Sequence, residues 1–223
     1  MDLVLSTRSG PHQADKLRYC LRGLKHLEFD ELFIIGPLPD GINLTSYRKV
    51  TVIGDDGAND FSRIATAASV MKGLGCYEFL YMPDNCMLMA PFKPMRFVNV
   101  GMMYRKPDES AFMVNTLRFL LESDELKCLD YELDIPMVFH AEKVLALVEK
   151  AGKKTHEYAM RSLYGNFYPG PHLRITNPYI PEWSHYDDPQ SAVVALGDKA
   201  MEHKQCMRWL QKKFPHRSKY EHS

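Results

Sequence analysis

The sequence predicts an α/β protein with a mostly parallel sheet flanked by helices, and three observations carry that prediction. Over roughly the first ninety residues, short apolar runs alternate with helix-patterned segments. The second, third and fourth of these runs end in Gly, Pro or Asp, residues that stop strands. The fourth run, Phe79 onward, breaks at Asp84-Asn85 and then resumes as Cys86-Met87-Leu88-Met89. A turn on an open surface has no need of apolar sequence on both sides, so this one is expected to be embedded in the fold.

Residues 2–6 read as a buried strand and 7–13 as a polar loop. Across 14–27, Leu17, Cys20, Leu21 and Leu24 fall at helical spacing with Lys16, Arg18, Arg22 and Lys25 around them, which predicts an amphipathic helix. Residues 31–35 form the next expected strand, stopped at Gly36-Pro37, and 49–53 a third, ended by Gly54-Asp55-Asp56-Gly57. Asn59 or Asp60 is placed to cap a helix reaching about Gly73, and 77–82 is the fourth strand. Later, 108–121 is expected to be helical, 134–140 extended, 142–151 a short amphipathic helix, and 164–189 a loop-rich segment of the kind that binds or covers ligands. Residues 191–214 are expected to be one helix or two. The organisation expected is one domain over 1–190 and a basic, aromatic-containing helical extension over 191–223.

Composition excludes several classes. The 223 residues are 45% hydrophobic and carry 28 basic and 28 acidic side chains, so bulk charge makes no case for a nucleic-acid or membrane partner. Five cysteines without CxxC spacing argue against a disulfide framework or a zinc knuckle. With no membrane-length apolar run and no signal-like start, the expectation is a soluble, cytoplasmic protein.

Ligands of parallel sheets gather beyond the carboxyl ends of the strands. Those ends carry Ser6-Thr7-Arg8-Ser9, Gly36, the Gly54 to Gly57 turn and Asp84-Asn85, so four distant segments are expected to meet in one cleft. Thr7, Arg8 and Ser9 offer hydroxyls and a guanidinium to a base or diphosphate, although a solvated loop has the same letters. Asp55 and Asp56 suit sugar hydroxyls, and Asp60 with Arg63 opens a helix where a phosphate can sit; a turn followed by an N-cap reads equally well. Asp84 beside Asn85 offers hard oxygens to a divalent cation or to ribose hydroxyls. Asp134, in an apolar run, is a candidate general base whose proton affinity burial would raise, or else a satisfied structural carboxylate. Arg161 can clamp phosphate, or stand in a helix closed by Gly165. From His203 to Tyr220 six cations, Lys212, Lys213 and Arg217 among them, are interleaved with aromatics and contain no acid. That suits a nucleic-acid backbone, or a solvated helix face.

The order of five segments, 16–24, 31–35, 79–88, 131–139 and 161–166, resembles that of Stealth-type sugar-phosphate transferases and related glycosyltransferases of the GT-A fold, the last two segments resembling their small, often viral, relatives. The resemblance covers roughly residues 2–170. It implies a GT-A-like fold, a nucleotide-sugar donor such as a UDP-sugar, and in many members a divalent Mn or Mg ion. Two positions depart from it: Pro83-Asp84-Asn85 stands where relatives carry two adjacent acids, and Asp134 where many Stealth-type sequences have histidine. The second departure favours a carboxylate base and glycosyl transfer.

The expected function is therefore transfer of a hexose to a hydroxyl acceptor, for which the basic tail and the resemblance to small viral relatives suggest a hydroxymethylated pyrimidine in DNA, with surface glycans and proteins as the competing acceptors. Thr7, Arg8, Ser9, Asp55, Asp56, Asp60, Arg63, Asp84 and Asn85 would hold the donor, with Asp84 as the metal ligand. Asp134 and Arg161 would carry catalysis, and Lys212, Lys213 and Arg217 would meet the acceptor. The rival expectations are a Stealth-like sugar-1-phosphate transferase acting on a glycan and a catalytically degenerate nucleic-acid-binding protein.

Overall fold

The computed structural model describes residues 1–40, 42, 48–50, 59–94, 98–103, 110–123, 128–152, 157–171, 173–184 and 191–221. Its centre is a five-stranded sheet in the order β3-β2-β1-β4-β9, made by β1 (Asp2–Ser6), β2 (Leu32–Ile35), β3 (Arg48–Val50), β4 (Glu78–Pro83) and β9 (Met137–His140). The first four strands are mutually parallel, and β9 closes one edge antiparallel to β4. This is the α/β architecture that the alternating pattern predicts. The connection from β1 to β2 is α1 (Gln13–Gly23) with a 3-10 turn at Leu24–His26, and the one from β3 to β4 contains α2 (Asp60–Gly73).

Strand periodicity sorts the core into two layers. Leu3, Leu5, Leu32, Ile34, Leu80 and Met82 face one side and pack against Leu17, Cys20 and Leu21 of α1 and Leu24 of the turn after it. Val4, Phe33, Ile35, Phe79, Tyr81 and Phe139 face the other, against α2, α4 (Ala141–Ala151) and α5 (Met160–Phe167). Leu3, Leu5 and Leu17 are wholly buried, each worth about 1.5–3 kcal/mol of transfer free energy.

At Asp84-Asn85 the chain leaves the main sheet. β4 ends at Pro83, and β5 (Cys86–Leu88) joins a second sheet, where it pairs antiparallel with β12 (Val193–Leu196), itself parallel to β11 (Tyr179–Ile180). The apolar residues after the break are therefore core: Cys86, Met87 and Leu88 are fully buried. Two smaller pairs, β6 (Val98–Asn99) with β10 (Leu173–Arg174) and β7 (Gly101–Met102) with β8 (Leu129–Asp130), lie in the segments between. α3 (Ala111–Glu122) packs on α5.

The expectation that 191–214 is helical is corrected at its start. Val193 to Leu196 are buried in β12, because four consecutive apolar residues next to β5 complete a sheet that a helix would leave open. α6 (Asp198–Glu202) and α7 (Lys204–Lys213) follow, and Cys206, Leu210 and Phe214 pack beside Tyr19 and Trp183. No helix among the described residues is long and apolar enough to cross a membrane.

Candidate active site

The carboxyl ends of β1 and β4, the start of α2 and the chain just before β9 enclose two adjoining compartments. The larger, about 440 Å³, is lined by Arg8, Ser9, Asn59, Asp60, Phe61, Arg63, Phe112, Glu132, Leu133, Asp134, Tyr158, Ala159, Met160 and Arg161. The smaller, about 160 Å³, is lined by Arg8, Ser9, Gly10, Gln13, Lys16, Asp84, Asn85, Asp134, Tyr179, Leu196, Gly197 and Asp198. Arg8, Ser9 and Asp134 belong to both walls and mark the junction.

The loop after β1 is held by its neighbours. Gly36 takes φ 110°, and a Cβ there would stand 2.2 Å from the Thr7 carbonyl oxygen, so this crossing needs glycine. Thr7 is correspondingly fully buried, its hydroxyl donating to the Pro37 carbonyl at 2.6 Å. The donor-binding role expected of Thr7 is thus met by a hydroxyl already committed to the backbone. His12, at φ 58°, turns the chain into α1 so that Gln13 reaches Asp84.

Asp84 is 2% exposed. Its Oδ2 accepts from the Arg8 backbone N–H at 3.0 Å and from Gln13 Nε2, and its own N–H donates to the Ser6 carbonyl at 3.0 Å. Burial pushes its carboxyl up to about 7, against the opposing charges of Arg8, Lys16 and Arg63. Asn85 donates through Nδ2 to Asp134 Oδ2 at 3.0 Å, and its carbonyl accepts from Leu196 N–H, joining the two sheets at the site.

A second cluster centres on Asp60, the first residue of α2 behind the Asn59 cap, whose side chain accepts from Ser62 N–H at 2.9 Å. Asp60 accepts from Tyr81 OH at 2.8 Å and from Arg161 Nε at 3.3 Å, with Arg8 at 3.7 Å. Burial raises its proton affinity, but Arg161 and Arg8 more than offset this and hold it below the usual carboxylate range. Arg161 is 2% exposed; it donates to the Ile135 carbonyl at 2.9 Å and stands over the Tyr81 ring. Its Nη2 and the Nε of Arg63 are buried without a hydrogen-bond partner among the described residues. Arg161 is therefore a buried cation in the wall of the larger compartment. Arg8, about half exposed, is the guanidinium that faces the junction.

The site thus brings together Arg8, Ser9, Asp60, Arg63, Asp84, Asn85, Asp134 and Arg161. Asp55 and Asp56 lie outside the described residues. Lys212, Lys213 and Arg217 are not brought to the cleft. Lys212 and Lys213 end α7, whose apolar face packs on α1 through Tyr19 and Phe214. Beyond them, Arg22 donates to the Phe214 carbonyl and to Glu221, and Tyr220 stacks on Phe29. Arg217 lines a separate cavity of about 560 Å³ at this end of α1. The six residue steps from Lys16 to Arg22 span about 9 Å of helix, which separates the tail from the cleft.

One titratable residue is missing from the sequence-based set. Glu132 lines the larger compartment, accepts from Ser162 N–H at 2.9 Å through Oε1, and is pushed up to about 7 by burial. Its signal was the same as that of Asp134, an acid between apolar residues, two positions earlier.

Asp84, the expected metal ligand, stands in a setting rich in cations. Among the described residues no group of three His, Cys, Asp or Glu side chains comes together as ligands. Asp84 instead has Arg8, Lys16 and Arg63 as electrostatic neighbours. These residues do not fit a bound divalent ion, whose affinity needs several anionic oxygens and suffers beside fixed cations.

No protein-family model and no curated protein matches the chain. Many solved structures resemble it, among them the following three. An active-site mutant of LgtC shares 10% identity over 96% of this chain and 94% of that one, with a TM-score of 0.50. The galactosyltransferase LgtC in complex with donor and acceptor sugar analogs gives 11%, 96%, 94% and 0.49. Mouse xyloside xylosyltransferase 1 in its apo form gives 10%, 83%, 89% and 0.38. At these identities the likeness to the LgtC mutant is one of fold, the GT-A-like arrangement of a mostly parallel sheet flanked by helices.

Proposed function

We propose that the chain is a glycosyltransferase that moves a hexose from a nucleotide sugar to a hydroxyl acceptor. The observation that carries this reading is the pair of compartments meeting at Arg8, Ser9 and Asp134 beyond the carboxyl ends of β1 and β4. The smaller compartment, with Arg8, Gln13 and Lys16 in its wall, suits a diphosphate. The larger, with Phe112 and Tyr158 opposite carboxylates, suits rings that carry hydroxyls and leaves room for the acceptor. The reacting carbon then lies at the junction, facing Asp134. The GT-A-like fold, shared with a galactosyltransferase, supports the donor class.

Departure of a nucleoside diphosphate needs its growing negative charge balanced. Arg8 supplies that charge at the junction, and buried Arg161 and Arg63 add a positive field from the floor. Asp134, held by Asn85, faces the side from which the donor sugar carbon becomes electron-poor, and stabilises it or a hydroxyl approaching it.

Binding comes first in the test. UDP-sugars are expected to raise the melting temperature, since a ligand that binds only the folded state stabilises it. Asp134→Asn should keep that shift and lose transfer by about 100-fold or more. Full turnover in Asp134→Asn removes Asp134 from the chemistry; absence of any shift across UDP-, GDP- and CMP-sugars removes the donor class.

A further inference from the structure

The sugar-transfer reading leaves open where the acceptor proton goes, and the inference drawn here rests on that reading. Tyr131 to Ile135 is folded into two successive three-residue turns, Leu133 N–H donating to Tyr131 O at 2.7 Å and Ile135 N–H to Leu133 O at 2.8 Å. Tyr131, Leu133 and Ile135 point inward at 1%, 1% and 4% exposure, while Glu132 and Asp134 stay partly exposed and line the larger compartment. Only Asp134 also lines the smaller one. The ribbon therefore sets two carboxylates in series, Asp134 on the donor side and Glu132 further into the space available to the acceptor.

Their hydrogen bonds differ in the same sense. Asp134 Oδ2 is taken by Asn85. Glu132 is fixed twice: its backbone N–H donates to Asp130 Oδ1 at 2.9 Å, and its Oε1 accepts from Ser162 N–H in the first turn of α5. Its Oε2 takes no hydrogen bond among the described residues.

We propose that Glu132 is a further catalytic residue of the cleft, its Oε2 taking the proton of the acceptor hydroxyl while Asp134 remains on the donor side. The acceptor oxygen forms its bond to the sugar carbon, and the bond from that carbon to the diphosphate oxygen breaks with its electron pair leaving on the nucleoside diphosphate. The hydroxyl proton passes to Glu132 and from there to solvent. The groups acting on Glu132 are Arg161 of α5, Asp60 of α2 and its near neighbour Asp130. Burial, with help from Asp60 and Asp130, sets its titration at about 7 against the pull of Arg161 and the Ser162 N–H. A base with that affinity is half ionised near neutrality, so transfer rises with pH through about 7.

The competing role for Glu132 is purely structural, an anchor for the start of α5. Glu132→Gln separates the two, because glutamine keeps an oxygen for Ser162 N–H but cannot take a proton. The measurement is release of nucleoside diphosphate from whichever UDP-, GDP- or CMP-sugar shifts the melting point, followed from about pH 5.5 to 8.5. The expected result is unchanged donor affinity, a melting temperature no lower than that of the wild type, kcat lower by about 100-fold or more, and loss of the rising limb. Turnover within about threefold of the wild type, with the limb intact, overturns the proposal. Should Glu132→Gln not fold, Glu132→Asp decides: a base predicts that the shorter carboxylate keeps a rising limb at reduced rate, an anchor predicts no limb traceable to this position. If no sugar nucleotide binds even the wild type, the sugar-transfer reading falls and this assignment falls with it; donor binding with an unchanged limb sinks Glu132 alone.

Discussion

The cleft and the C-terminal tail both concentrate charge, and they handle it in opposite ways. In the cleft, Asp60 is shared by Tyr81, Arg161 and Arg8, and Asp84 by Arg8 and Gln13, with Arg161 and Asp84 only 2% exposed. In the tail and on α7, Arg208, Lys212 and Arg217 stand at the surface, while Phe214 and Tyr220 hold the segment to the body. Burying charge is costly unless each group is paired, and a protein that keeps such groups gains a fixed field in return. Charge on a solvated face costs little and fixes little. The contrast teaches that the density of charged letters in the sequence is a poor guide to where charge does chemistry, and that the energetic cost of each group is a better one.

The largest expected effect breaks the cleft side of that comparison. Arg161→Met removes the cation that pairs with Asp60 and donates to Ile135, leaving a mostly buried carboxylate with Tyr81 and a more distant Arg8. Losing one partner of a buried pair costs roughly 3 kcal/mol, which for a chain of this length lowers the melting temperature by about 10 °C. Thermal unfolding checks this; a fall of less than about 2 °C would mean that Asp60 is adequately served without Arg161.

A smaller effect, of opposite sign, is expected at Asp84. Its folded-state titration at about 7 lies above the ordinary value of 3.8, so between those values the folded protein holds a proton that the unfolded chain has released. Stability from this group is present below about pH 4, falls as pH rises toward 7, and is flat above. Asp84→Asn does not titrate there and keeps an oxygen for Arg8 N–H and Gln13. It should be more stable than the wild type by about 2 kcal/mol at pH 8, with a shallower decline from pH 4 to 7; Glu132 contributes with the same sign, so the decline is reduced rather than abolished. Urea titrations at a series of pH values measure both. An unchanged pH profile would place the Asp84 titration outside this window.

Much of this fold was legible in the sequence because periodicity reports burial directly. β1, α1, β2, α2 and β4 all fall where the apolar spacing puts them, and the break at Asp84-Asn85 marks the passage from one sheet to another. β12 was not legible: Val193 to Leu196 is four apolar residues leading into a helix-patterned segment, and only the antiparallel partner β5, about a hundred residues away, makes it a strand. The site was legible as a set of strand ends. What local sequence does not encode is which charges are spent on each other. Thr7 has the letters of a free hydroxyl and is tied to Pro37, Arg161 has those of a clamp and is tied to Asp60, and Glu132 has the same local pattern as Asp134. Those outcomes depend on contacts across 30 to 101 residues of chain.

The smallest expected effect sharpens the tail side of the comparison. Lys212 and Lys213 close α7 as cations in its last turn, where they meet the negative end of the helix dipole, and Lys212 projects from the exposed face. Such contacts are each worth no more than about 0.5 kcal/mol and are screened by salt. Lys212→Gln with Lys213→Gln should therefore shift the melting temperature by about 2 °C or less, and leave donor-dependent turnover in the cleft within about twofold of the wild type. The same variant bears on the DNA acceptor expected from the sequence. If the tail follows a phosphate backbone, removing two cations lowers the slope of log affinity against log salt for a short duplex by about 1.8, whereas a solvated helix face leaves that slope unchanged. A large loss of donor turnover in this variant would contradict the separation of tail and cleft along α1, and would place these lysines within reach of the reacting groups.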